Sequence, residues 1–319
     1  MNNTLNICLA CDDNYAPYMG MAIFSVLKNA APQDKFHFYI LDNKISAISK
    51  KKIESLRATH PFELTYLPLD EKLFAQCDVK RAQWTLSIFG RYLIPKLIPE
   101  DKVLYLDCDV MVRESLQDLW ATDISDYFIA GVPDYNVIFR GRLKERFGDD
   151  FKVEEYVNSG VLLINNKKWR EENLFEKLLD YSVKNASLLQ YPDQDAINFI
   201  CREHKKMLPD YYNVRSYLYK PDLFLHHPRF NEIIQAPKKT IIRHFAPWKK
   251  NFFAPHRQEY IDLMRVSPWA DRIPRDDNRV WGWTKLIARY FWRHPFCFLL
   301  PKFYQRWYYR GWACLFLDD

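Results

Sequence analysis

Lys102-Val-Leu-Tyr-Leu-Asp-Cys-Asp-Val110 decides how the rest of the chain reads. Val103 to Leu106 form a short apolar run with β-favouring residues, the pattern of a strand buried on both faces. The run ends in charge. Side chains alternate along an extended backbone, which puts Asp107 and Asp109 on one side and Cys108 on the other. Neighbouring carboxylates repel one another unless a cation sits between them, and hard oxygen ligands suit Mg²⁺ or Mn²⁺. An ion held there would neutralise a diphosphate.

Many surface strands also end in solvated carboxylates, the ordinary alternative for Asp-x-Asp. A phosphohydrolase of the haloacid-dehalogenase type, with the first Asp as nucleophile, is a second chemical reading. That family carries Thr or Val two residues after the second Asp, where this chain has Met111. It also places the motif near the start of its domain, whereas a long alternating pattern precedes it here.

Leu5 to Cys11 reads as a first strand, closed by Asp12-Asp13-Asn14 and followed by a helical pattern to Lys28. Phe36 to Leu41, Ser46 to Thr59 and Phe62 to Leu67 continue the alternation, which implies parallel strands with helices on both faces. Ligands of open α/β sheets collect beyond the carboxyl ends of strands. Asp12 and Asn14 are therefore candidate nucleotide contacts, with simple helix capping as the alternative. No Gly-x-Gly-x-x-Gly loop occurs among only eight glycines, so bound phosphates would need a metal. Leu86 to Leu97 suggests a short helix carrying Arg91, suited to a phosphate, a sugar or a surface salt bridge.

Residues 134–157 are charged and aperiodic, as in a segment that covers a site. Asn158-Ser-Gly-Val-Leu-Leu-Ile-Asn165 is a further strand, and Leu174 to Ala186 a helix. Another helix starts at Tyr191-Pro-Asp-Gln-Asp195, its carboxylates in the first turn. Capping accounts for Asp193, while an acid-amide-acid cluster with Gln194 also suits the hydroxyls of a sugar. Ile241-Ile-Arg-His244 is a last strand, its imidazole either structural or a third ligand for Mn²⁺.

Taken in order, these segments resemble the family-8 retaining glycosyltransferases, especially bacterial lipopolysaccharide galactosyl- and glucosyltransferases. The matching pieces are Ala10-Cys-Asp-Asp-Asn-Tyr15, Arg91, Val103-Leu-Tyr-Leu-Asp-Cys-Asp-Val110, Asn158 to Asn165 with Trp169, Asp193-Gln-Asp195, and His244 with Pro247-Trp248. The resemblance, which covers residues 5 to about 250, implies an α/β glycosyltransferase A fold, a Rossmann-like mixed sheet with flanking helices; composition adds a small helical, basic-aromatic C-terminal region. It implies UDP-galactose or UDP-glucose as donor and Mn²⁺, or Mg²⁺, held by Asp107, Asp109 and His244. Asp12 and Asn14 match positions at the uracil and ribose. Arg91, Asn158, Asp193 and Gln194 match positions around the donor sugar, Gln194 on the face opposite the leaving group. Catalysis is expected from Asp107, Asp109, Asp193 and Gln194. The family's segment after the His carries a Gly and a diphosphate-gripping Lys that His244-Phe-Ala-Pro-Trp248 lacks, so Lys249 or Lys250 is the expected substitute.

With 319 residues and 48% hydrophobic content, the chain can bury a substantial core. Seven cysteines point to a reducing compartment, with Cys8 and Cys11 as core thiols because no second pair follows them. The N-terminus lacks the pattern of a secretory signal, and no stretch approaches the roughly 18 apolar residues of a spanning helix.

The net charge of +6 is concentrated: residues 279–310 hold seven Lys/Arg and no Asp/Glu, and five of ten tryptophans lie beyond 280. Amphipathic aromatics with basic heads suit an anionic membrane surface. They also suit single-stranded nucleic acid or packing on the body, but a glycolipid acceptor accounts for both the tail and the transfer site, so no nucleic-acid partner is expected.

The expected domains are 1–255 for catalysis, 256–278 as a connector and 279–319 as a membrane-associating region. The expected function is hexose transfer to lipopolysaccharide, lipooligosaccharide or another glycan at the inner face of the bacterial cytoplasmic membrane. The alternative is a catalytically idle sugar-nucleotide or glycan-binding protein docked there.

Overall fold

The computed structural model describes residues 4–80, 85–219, 221–245 and 256–273. Lys249, Lys250 and the 279–319 tail lie outside the described residues. The chain divides into two compact units, Met1–Val214 with Lys239–His244, and Arg215–Lys238 with Phe245–Asp319.

Among the described residues, nine strands form in the first unit: β1 (Thr4–Asp12), β2 (Lys35–Asn43), β3 (Glu63–Pro68), β4 (Lys102–Leu106), β5 (Val110–Val112), β6 (Ile129–Pro133), β7 (Val157–Asn165), β8 (Lys205–Met207) and β9 (Ile242–His244). Seven of them make one sheet in the order β3-β2-β1-β4-β7-β6-β8, and β5 pairs with β9 in a separate ribbon. β1 to β4 run parallel, as the strand-helix alternation requires. β7 is antiparallel to both β4 and β6, which makes the sheet mixed and corrects the all-parallel arrangement that the alternation by itself implies. The result is the mixed α/β architecture expected of a glycosyltransferase A fold.

Local chemistry explains most element ends. Ser46 caps the helix Ala47–Glu54 by accepting from the Ser49 amide at 3.2 Å. The expected helix over 86–97 is a 3₁₀ turn, Leu86–Leu93, running into Ile94–Leu97. It lies so close to the sheet that a Cβ on Gly90 would come 2.6 Å from Leu69 Cδ1. Residues 134–157 are not a bare cover: two short helices, Tyr135–Arg140 and Leu143–Phe147, close over a small core of Val137, Leu143, Phe151 and Tyr156. Helices of barely more than one turn leave no readable period, which is why the sequence looks irregular there.

One core packs Cys8, Val103, Tyr105, Leu162 and Ile164 of the sheet with Phe89, Tyr92, Trp169, Leu178 and Ile197. Trp169 is fully buried, and its indole N–H donates to the Phe128 carbonyl at 3.0 Å. Asn198, in the helix Pro192–Ile200, exchanges two 2.8 Å hydrogen bonds with the backbone of Val157 and so ties that helix to the start of β7. In the second unit, Phe224, Ile233, Tyr260 and Trp269 are buried. No helix among the described residues is long and apolar enough to cross a membrane.

Lys205 of β8 supports the same brace, donating to the Glu155 carbonyl at 2.6 Å and to Asn198 Oδ1 at 3.3 Å. Burial pulls its pKa down to about 8. The penalty for burying the charge is full below that pH. Above it the folded chain releases a proton that the unfolded chain keeps until about pH 10.4, so this residue makes stability rise with pH across that window. Lys205→Met should remove a slope of up to about 1.4 kcal/mol per pH unit, read as the change in urea midpoint from pH 8 to 10.

Candidate active site

β4 ends at Leu106, and Asp107-Cys108-Asp109 forms a turn, not the extended strand end read from the sequence. The cause is β5, which leaves the sheet to pair antiparallel with β9 in the register Val110↔His244. The turn points Asp107 and Asp109 at that histidine. His244 Nε2 lies 3.2 Å from Asp109 Oδ1 and 3.9 Å from Asp107 Oδ2. One ligand atom from each of the three residues falls within 4.8 Å of the others.

The imidazole is oriented by a neighbour. Asn213 donates its Nδ2 to Asn158 Oδ1 at 2.8 Å, which turns its own Oδ1 towards His244 Nδ1 at 3.0 Å. Nδ1 therefore carries the proton, and in the neutral ring the Nε2 lone pair faces the two carboxylates. Gly160 keeps the space open: a Cβ there would lie 2.5 Å from His244 Cε1 and 3.0 Å from Asp107 Cγ. Two carboxylates and an aimed imidazole, in a gap that only a glycine leaves free, are a donor set that fits Mn²⁺ or Mg²⁺. Asp107, Asp109 and His244 would hold the ion.

Arg91 is buried beside this cluster with its guanidinium 4.4 Å from the Tyr105 ring centroid. It bonds Asp107 Oδ1 at 3.0 Å and Asp193 Oδ2 at 3.3 Å, so the expected sugar contact is first of all a clamp on two carboxylates. Burial raises the Asp193 pKa above the usual carboxylate range, an effect that Arg91 opposes.

Gln194, the next residue, is saturated. Its Oε1 accepts from Asn158 Nδ2 at 2.9 Å and the Ser159 amide at 3.0 Å, and its Nε2 donates to Asp134 Oδ2 and the Tyr156 hydroxyl, both at 3.2 Å. Asn158 also donates to Asp134 Oδ2 at 3.1 Å. The structure thus brings Asp107, Asp109, His244, Arg91, Asn158, Asp193 and Gln194 into one connected set.

A cavity of about 180 Å³ beside them is lined by Asp12, Tyr15, Ser87, Arg91, Asp107 and Asp109, among others. Asp12 also accepts from the Tyr15 amide at 2.9 Å, so capping and cavity lining coexist in one side chain. Asn14 is exposed in the turn and is not among the lining residues.

The model of glycosyl transferase family 8 matches residues 6–251. The chain belongs to that family. Among relatives of this family 8 chain, a Haemophilus influenzae protein is 34% identical over 214 residues, 66% of this chain and 64% of its own length. General stress protein A of Bacillus subtilis is 30% identical over 83% of this chain and 94% of its own. The lipopolysaccharide 1,2-glucosyltransferase of Escherichia coli K12 is 26% identical over 95% and 92%. The galactosyltransferase LgtC, crystallised with donor and acceptor sugar analogues, superposes with a TM-score of 0.74 at 26% identity, covering 86% of this chain and 99% of LgtC. Another LgtC structure carries a Gln-to-Glu mutation in its active site.

Asn213 lay outside every quoted segment, Asp134 and Tyr156 lay in the aperiodic 134–157 stretch, and Ser159 lay in a quoted strand that gave it no role of its own. Gly160 lay inside a quoted strand, but its role depends on β9, more than 80 residues away in the chain. Gly160→Ala should weaken Mn²⁺ binding roughly 10- to 100-fold, as other changes beside metal ligands do, with little loss of secondary structure. Isothermal titration of Mn²⁺ into both proteins, alongside circular dichroism, measures this.

Proposed function

We propose that this family 8 glycosyltransferase moves galactose or glucose from a UDP-sugar, with retention of configuration, to lipopolysaccharide, lipooligosaccharide or another glycan acceptor. The observation that carries it is the convergence of Asp107, Asp109 and His244 one residue layer from Asp193 and Gln194. A diphosphate end and a sugar end thereby share one cleft. The relatives named lipopolysaccharide 1,2-glucosyltransferase and galactosyltransferase support the substrate class.

Cleavage of the sugar-phosphate bond puts negative charge on the departing UDP, and a divalent cation, Mn²⁺ in this proposal, supplies the Lewis acid that offsets it. Asp107, Asp109 and His244 would hold that ion, and Arg91 fixes Asp107 in register with Asp193. Asp12 and the cavity beside it receive the nucleoside, and Asn158 with Asp193 lines the sugar end.

A double displacement would need a nucleophile beneath the anomeric carbon. Gln194 is a poor one, an amide whose oxygen already accepts two short hydrogen bonds. The acceptor hydroxyl therefore attacks on the face that UDP leaves, its oxygen bonding C1 as the C1–O bond to phosphate breaks and its proton passing to the phosphate. Gln194 supports the oxocarbenium-like charge from the opposite face. A covalent sugar adduct on Asp193 or Asp195 would exclude this route.

The tail at 279–310 supports a seat on the anionic inner leaflet, at about 1 kcal/mol for each basic residue that reaches the surface. Replacing Arg289 and Arg293 by Glu should lower co-sedimentation with phosphatidylglycerol vesicles, and unchanged binding removes the membrane contact from the proposal. For the chemistry, Mn²⁺ should stimulate UDP release from UDP-galactose or UDP-glucose, with Asp109→Asn reducing it at least about a hundredfold. Release that Asp109→Asn leaves intact, or no turnover of either sugar, sinks the proposal; in the second case the idle binding protein takes its place.

A further inference from the structure

We infer that Tyr156, held by Asp195 and Arg146, is a positioning residue that stops the Gln194 amide from swinging and so fixes the angle it presents to the donor sugar. The inference rests on the proposed role of Gln194 beneath that sugar.

The two ends of an amide have nearly the same shape, so partners of known polarity must choose between them. On one side stands the Ser159 backbone N–H, which can only donate, 3.0 Å from Oε1. On the other side stand the Asp134 carboxylate, which can only accept, and a hydroxyl, which can act either way until something polarises it. Asp195 does so.

That carboxylate is completely buried and has four donors: the amides of Gln190 at 2.7 Å and Tyr191 at 2.9 Å, the Arg146 guanidinium, and the Tyr156 hydroxyl at 2.5 Å. Because Tyr156 gives its proton to Asp195, its oxygen is left to accept, and the partner facing it is Gln194 Nε2 at 3.2 Å. Burial, with the Asp195 charge second, pushes the phenol well above its usual range, so the hydroxyl keeps the proton it donates. Arg146 in turn is pinned by the carbonyls of Leu188 at 2.9 Å and Gly141 at 3.2 Å.

Asp195 is therefore an inner link of a relay, Arg146 to Asp195 to Tyr156 to Gln194. Capping does not account for all of it, because its acceptors face a guanidinium and a phenol as well as the amides of Gln190 and Tyr191 that precede the helix. The relay starts in the short helix Leu143–Phe147, so the segment between β6 and β7 sets the orientation of a group on a different element.

The tyrosine ring packs with Val137, Leu143 and Phe151, and phenylalanine would keep that packing while deleting only the hydroxyl. The loss then falls on the amide, which keeps Asp134 Oδ2 as acceptor but is free to swing about it.

The experiment is a double-mutant cycle on kcat in the full chain with Mn²⁺ and UDP-sugar saturating, crossing Tyr156→Phe with Gln194→Ala. Tyr156→Phe should lower kcat about three- to tenfold, the rate equivalent of one hydrogen bond, with KM for the donor changed far less. In the Gln194→Ala background the same change should cost almost nothing, since a residue that acts through another has no effect once that other is gone. Equal losses on both backgrounds overturn the relay and leave the proposed function standing. A Gln194→Ala enzyme with native kcat overturns the role of Gln194 and the relay together. Arg146→Lys, taken through the same cycle, gives the same decision should Tyr156→Phe not fold.

Discussion

Three carboxylates crowd one cleft, and the rest of the site is arranged around their repulsion. Asp107 and Asp109 are placed by the sheet and the β5–β9 ribbon, and Asp193 by the first turn of the helix Pro192–Ile200, where Arg91 joins it to Asp107. Arg91, buried on the face of Tyr105, offsets Asp107 and Asp193. Asp109 is turned to His244 instead. The balance of formal charge stays negative, in a pocket where partial burial makes each charge count for more than it would in water. Such a cleft repels a diphosphate by itself and attracts a cation, and the same cation then attracts the diphosphate. One electrostatic imbalance thus selects both the ion and the substrate class.

A cation can use that imbalance only if the ligands reach it, which is a steric matter. β7 passes directly under the Asp107 turn, with the Asp107 amide donating to the Gly160 carbonyl at 2.8 Å. His244 arrives over the same point from β9. A side chain of any size on residue 160 would sit where Asp107 and His244 meet. The polar opening of β7, Asn158-Ser159-Gly160, looks wasteful in a strand that is otherwise apolar and buried. It is the part of the strand that meets the polar cluster. Asn158 links Asn213 to Gln194, Ser159 donates its amide to Gln194 and accepts from Arg91 at its carbonyl, and Gly160 provides the gap.

How much of this the sequence revealed depends on how far each contact reaches along the chain. The strand Lys102–Leu106, the turn after β1 and the helix behind it were legible because hydrophobic period and turn chemistry are local signals. Asp107 and Asp109 stood out for their charge, although the geometry inferred for them, an extended strand end, is replaced by a turn. The antiparallel insertion of β7 was not visible in the alternation, since a buried apolar strand reads alike in either direction. Asn213 and Tyr156 had no signal at all. They are single polar residues whose meaning comes from partners 31 and 38 positions away.

The same network bears on which carboxylate is available for chemistry. Asp195 is adjacent to Gln194 in sequence and would be an obvious nucleophile for a double displacement. Yet its oxygens are spent on two backbone amides, a guanidinium and a phenol, and no part of it is exposed. Freeing it to attack would leave several buried donors unsatisfied, each at about 1–3 kcal/mol and more for the guanidinium. Asp193 is held less tightly but is clamped to Arg91 and to the Ser159 hydroxyl at 3.1 Å. What the chain offers at the proposed sugar site is consequently a saturated amide flanked by engaged carboxylates. Such a surface can stabilise a positive charge without bonding to it, which supports the proposed attack from the same face that the nucleotide leaves.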